Sequence, residues 1–142
     1  MDIDVINAQL SKIDDILNAD LVPAHVNAVY PYRAMPSKLP FVISISFLGG
    51  LPGSGTVAAF DMHSDFAIVM EAHHDKTDVK LQWAEQKLNE VEMLIVSTFQ
   101  TTNYAVDGLW MSTEFYKPSG RPPSPSMYTD ARLGHLYLRL NF

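Results

Sequence analysis

Residues 78–99 read DVKLQWAEQKLNEVEMLIVSTF, a charged run with neither glycine nor proline. Leu81, Ala84, Leu88, Val91, Ile95 and Phe99 recur three or four residues apart, the spacing that lines one face of a helix. Glu85, Lys87, Asn89, Glu90 and Glu92 fall mostly on the other faces. Asp78 is the expected N-cap, where its charge complements the positive end of the helix dipole. Val79, Trp83 and Met93 widen the apolar stripe, which predicts packing on a sheet rather than in a narrow coiled-coil seam. Strand-like segments flank this helix on both sides, so the pattern predicts helices laid on a sheet.

Upstream, Ile3, Ile6, Leu10, Ile13 and Leu17 keep helical spacing and predict a first helix over 3–18. Asp2 or Asp4 would cap it, Asn18, Ala19, Asp20 and Pro23 would end it, and its polar face is expected to carry Asp4, Gln9, Lys12 and Asp15. Four prolines between 20 and 40 exclude a regular helix there, although Val26, Ala28, Tyr30 and Tyr32 fit a short strand that Pro31 would confine to a sheet edge. Pro40 then opens FVISISFL at 41–48. Phe41, Ile43, Ile45 and Phe47 alternate there with Val42, Ser44 and Ser46, the period of a strand.

Gly49, Gly50, Pro52, Gly53 and Gly55 follow. No Lys-Ser/Thr pair succeeds them and no helix follows to receive a phosphate, so they read as a hairpin connection. Residues 56–74 form a second strand region, with a possible break near 63–65. Phe66, Ile68, Met70 and Ala72 alternate with Ala67, Val69 and Glu71, and two fairly apolar faces predict a central strand. His63, His73, His74 and Asp75 are the nearest thing to a metal constellation. Adjacent histidines on a strand point to opposite faces, so His73 and His74 do not readily share an ion. No nucleophile or general-base motif accompanies them.

Beyond the long helix, residues 106–116 predict a third strand region, with Asp107-Gly108 as a tight turn or bulge. Leu109, Met111, Thr113 and Phe115 would take one face; Trp110, Ser112, Glu114 and Tyr116 the other. Residues 117–126, KPSGRPPSPS, hold four prolines and two cations and read as an exposed, extended loop, with assembly contact as a second reading. The candidate partner-contact residues there are Lys117, Pro118, Arg121, Pro122 and Pro123. The chain closes on HLYLRLNF. Leu136, Leu138, Leu140 and Phe142 alternate with His135, Tyr137, Arg139 and Asn141, predicting a core strand that pairs with 109–116.

The expected fold class is α+β: a single domain over 1–142, with about four strands in an antiparallel or mixed sheet and two helices packed on it. The order would be α-β-β-α-β-β. At 142 residues and 47% hydrophobic content the chain fills a core unaided, and with no cysteine it has neither disulfides nor thiolate metal sites. A net charge of −6 with scattered cations argues against tight nucleic-acid binding. The N-terminus lacks the basic and apolar regions of a signal peptide, and no apolar run approaches the roughly 20 residues of a membrane span, so a soluble, intracellular protein is expected.

In its order of elements the chain resembles the tail-terminator proteins of long-tailed bacteriophages and related neck and tail-completion proteins. The likeness covers nearly the whole chain. It runs through the N-terminal helix, the proline-rich passage, the Pro-led strand 40–48, the hairpin into 66–74, the long helix, the Gly108-Leu109-Trp110 lead-in and the final alternating strand. The proline-dense 117–126 has no counterpart required by that family. The resemblance implies a virion structural protein, assembled in the host cytoplasm, that caps the tail tube as a hexameric ring. It would contact the tube protein and the head–tail connector, with no catalysis and no cofactor. DNA would pass through the lumen unbound, which an acidic protein favours by like charge. Two other classes stay open. One is a small metal-dependent enzyme using His63, His73, His74 and Asp75; the other is an adaptor, monomeric or in the neck, that binds through the proline-rich segment.

Overall fold

The computed structural model describes residues 3–32, 39–51, 63–73, 78–101, 108–116 and 131–141. In chain order the elements are α1 (Ile3–Leu21), β1 (Ala28–Tyr30), β2 (Phe41–Leu51), β3 (His63–His73), α2 (Asp78–Thr101), β4 (Ser112–Tyr116) and β5 (Ala131–Asn141). The five strands form one sheet in the order β1-β2-β3-β5-β4. β1 runs parallel to β2, and every other neighbouring pair is antiparallel. The class is therefore α+β with a mixed sheet and two helices.

Five strands replace the expected four or so, and the order is α-β-β-β-α-β-β. The strand beyond that count is β1, the short edge strand expected around Ala28 and Tyr30, at the edge where Pro31 permits it. Three residues carry little periodicity of their own. β1 is held by its register on β2 (Ala28↔Val42 to Tyr30↔Ser44) and by Asn27, whose N–H donates to the Phe41 carbonyl while its Oδ1 accepts from the Phe41 N–H.

The core lies between the helices and one face of the sheet. Ile68 is flanked by Ile45 and Leu136, and Phe66 by Phe47 and Leu138. Phe66, Ile68, Ile45 and Leu138 are fully buried, each such side chain contributing about 1.5–3 kcal/mol on burial. α1 contacts β1 and β2, whereas α2 contacts β3, β5 and β4. On α2, Ala84, Val91, Ile95 and Phe99 are buried as the spacing predicts, with Trp83 and Leu88 partly so. Met93 is not in the stripe: it is 73% exposed, because two residues past Val91 is about 200° around the helix.

α1 runs to Leu21, three residues beyond the expected end, and buries that residue. Its first apolar residue, Ile3, is 67% exposed, while Gln9 is fully buried instead of lying on the polar face. β3 shows no break at 63–65; it pairs with β5 residue by residue from His63↔Asn141 to His73↔Ala131, and it is the middle strand, as expected. Gly49 and Gly50 belong to β2 and not to the connection. The register slips between Phe47 and Gly49, where Gly49 takes φ 140°, a conformation that favours glycine. The expected β4 face is partly wrong. Gly108 turns the chain with φ 77°, Trp110 makes an isolated bridge and is buried, Met111 is 75% exposed, and the strand begins at Ser112. The turn resets the phase that alternation alone would extend backwards from Thr113. The β4–β5 pairing is as expected. The remainder of the glycine-rich run, residues 56–62, His74, Asp75 and the 117–126 segment lie outside the described residues.

Candidate functional site

Among the described residues both helices pack on one face of the sheet. Its other face is built from the alternate residues of each strand: Tyr30 on β1, Ser44 and Ser46 on β2, Asp65, Ala67, Val69 and Glu71 on β3, Tyr137 and Arg139 on β5, Glu114 and Tyr116 on β4. Register brings Asp65, Arg139 and Glu114 into one row across β3, β5 and β4.

Arg139 grips Asp65 with both ends of its fork, Nε donating to Oδ1 at 2.9 Å and Nη2 to Oδ2 at 3.1 Å. His63 Nδ1–H donates to Asp65 Oδ1 at 3.1 Å, and the Tyr116 hydroxyl donates to the same carboxylate. Glu114 lies 3.8 Å from Arg139, whose guanidinium also stacks over the Tyr116 ring at 4.6 Å from its centroid. Burial pushes the Asp65 carboxyl up, but the Arg139 hydrogen bonds, the His63 and Arg139 charges and the Tyr116 hydroxyl outweigh it and hold the group below its ordinary value. Burial and then the Asp65 charge and hydrogen bond push the Tyr116 phenol up to about 12. The hydrogen bond to Asp65 likewise raises Arg139.

Arg139 is committed to Asp65 and lies close to Glu114. Asp65 already accepts from three side chains, so it is poorly placed to take a substrate proton, and Tyr116 is held protonated across the physiological range. What the cluster presents outward is aromatic. Tyr116 and Tyr137 pack at 5.9 Å between ring centroids, His135 stacks on Tyr137 at 6.3 Å with planes 13° apart, and Tyr30 meets Tyr32 at 5.7 Å on the β1 side. Charge also divides by layer: the two helices hold eight carboxylates against three lysines, and the strands three carboxylates against two arginines.

Of the candidate metal ligands, His63 and His73 share this face but stand at opposite ends of β3. Ten residues of strand separate their backbones by about 33 Å, so a single ion cannot join them. Each pairs locally instead, His63 with Asp65 and His73 with Glu71, whose Oε2 lies 3.5 Å from His73 Nε2 without a hydrogen bond. Among the described residues no group of three His, Cys, Asp or Glu side chains is arranged to hold a metal. His74, Asp75 and the partner-contact residues Lys117, Pro118, Arg121, Pro122 and Pro123 lie outside the described residues. Sequence reasoning set Tyr137 and Arg139 on the outward face of β5 and Glu114 and Tyr116 on one face of β4. It missed Asp65 as their partner, because cross-strand register is not written in either strand alone.

No protein-family model matches this sequence, and no curated protein matches it. No helix among the described residues is long and apolar enough to cross a membrane.

Proposed function

We propose that this protein is a structural subunit of a phage tail, a tail terminator that closes into a hexameric ring on the end of the tail tube and offers its other side to the head–tail connector. The observation that carries the reading is the sheet face that no described helix covers, which is aromatic and holds its one arginine, Arg139, between Asp65 and Glu114. Tyrosine-rich surfaces whose charges are already paired lose little on desolvation and suit protein contacts. A ring needs head-to-tail contact between two different patches of each subunit. The contrast between this face and the acidic helical layer supplies two such patches. Carboxylate-rich helices turned toward a channel would also let DNA pass without adhering.

The reading assigns no catalysis and no cofactor, and it places the protein in the virion neck after assembly in the host cytoplasm. Solution mass by sedimentation, together with electron microscopy of the protein alone and mixed with tail tubes, tests it. Six-fold rings seated on tube ends are expected. A monomer at all concentrations that leaves tube ends bare would refute it, and a monomer that binds only the connector would make the protein an adaptor.

A further inference from the structure

Along one flank of α2, the residues Glu92, Met93, Val96, Ser97 and Gln100 line a shallow groove of ≈ 380 Å³. Met93 lies in it 73% exposed, and Val96 is half-buried against the core. The groove is negative as well as apolar. From Leu88 to Thr101 the helix carries Glu90 and Glu92 and no cation. Glu90 is paired with Lys87 at 3.3 Å, leaving Glu92 without an ion pair among the described residues. The helix C-terminus adds its partial negative charge, with no basic residue in the last turn to offset it. An apolar floor with a negative rim at a helix C-terminus selects an extended, cationic segment of chain over an enclosed small molecule.

We infer that this groove seats residues 117–126 of the next subunit, an inference that rests on the ring reading above. The segment KPSGRPPSPS fits by chemistry. Lys117 and Arg121 are its only charges, both positive, and its four prolines bring apolar rings on a backbone that loses little entropy on docking. It follows directly on Tyr116 at the end of the edge strand β4, and β4 packs beside the groove's helix, with Phe99 and Phe115 edge to face at 6.0 Å.

The test uses the full chain and exploits its lack of cysteine. Gln100→Cys protein mixed with Ser124→Cys protein under mild oxidant should give a disulfide-linked heterodimer, and the double variant a ladder of multimers. In parallel, a fluorescent peptide of residues 116–128 is titrated into protein whose residues 118–125 are replaced by a Gly-Ser turn. It should bind, bind more weakly at 500 mM salt, and lose roughly fivefold in affinity to Glu92→Lys. Met93→Ser should weaken it as well. A double variant that closes only within one chain overturns the inference, as does peptide binding indifferent to Glu92 and Met93. Equal binding by a peptide of residues 31–40, which carries Arg33 and Lys38, overturns it too. Rings that form while peptide and crosslink both fail would sink this inference and spare the ring. Glu92-dependent peptide binding by a protein that never leaves the monomer supports the groove and sinks the ring.

Discussion

Asp65 and Arg139 face each other across β3 and β5, and the guanidinium holds both carboxylate oxygens, at 2.9 and 3.1 Å. Their side chains are 15% and 29% exposed, so the pair is partly shielded from water and from salt. Arg139→Met should cost about 1–3 kcal/mol in urea unfolding, mostly from leaving Asp65 without its charged donor. Because folding lowers the Asp65 pKa, its stabilisation is complete above the ordinary value of 3.8 and is lost as pH falls through the depressed one. The stability gap between wild type and Asp65→Asn should therefore be wide at pH 7 and narrow below pH 3.8. A gap independent of pH would mean that the ion pair contributes nothing.

Asp14 should behave in the opposite sense. Burial and the neighbouring Asp15 charge raise its pKa, against a lowering bond from Asn18, and its Oδ1 has no hydrogen-bond partner among the described residues. A raised folded value favours the protonated form, so stability fully present below the ordinary value of 3.8 is lost as pH rises through the raised one. Asp14→Asn is expected to raise the melting temperature at pH 7 and to change little at pH 3.

Gln9 ties three elements together inside the core. Its Nε2 donates to the Leu109 carbonyl at 2.7 Å, and its Oε1 accepts from the Ser64 hydroxyl at 2.8 Å, with Gln9 and Ser64 both fully buried. Gln9→Leu should destabilise by about 1–3 kcal/mol, the cost of removing both hydrogen bonds from a buried site. Because Ser64 shares the network, adding Ser64→Ala should cost less than the sum of the single changes in a double-mutant cycle. Strict additivity would show that the two side chains do not cooperate.

Gly134 marks the close approach of α2 to the sheet. A Cβ placed there would lie 3.1 Å from Met70 Cε and 3.2 Å from Leu88 Cδ2. Gly134→Val should cost about 1–3 kcal/mol by overpacking, and Leu88→Ala in the same chain should recover part of that loss. Chemical denaturation of the two single variants and the double checks it.

The C-terminal strand is core and not a tail. Leu140 is fully buried, on the same face as Ser64 and Thr113. Leu140→Ala should cost about 2–5 kcal/mol. Ending the chain after Arg139 should lower the melting temperature clearly, against a total stability of about 5–15 kcal/mol. An unchanged melting temperature would place the strand outside the core.

Local pattern alone determined the two helices, the three long strands and most of the core, because burial of one face imposes a period that each segment carries within itself. The alternation in 135–142 and the three-to-four spacing in 81–99 are legible for that reason, and so is the pairing of β4 with β5. The candidate contacts in 117–126 likewise come from composition, and they remain a matter of sequence. Tertiary structure decided what depends on two segments at once. The short edge strand around Ala28 and Tyr30 was legible, but its parallel pairing with β2 was not. Gln9 belongs in the core only because Ser64 and Leu109 meet it there, although its helical position looked polar. Asp65, Arg139 and Tyr116 form a cluster only once three strands align, since a hydrogen bond between residues 74 positions apart leaves no local period to read.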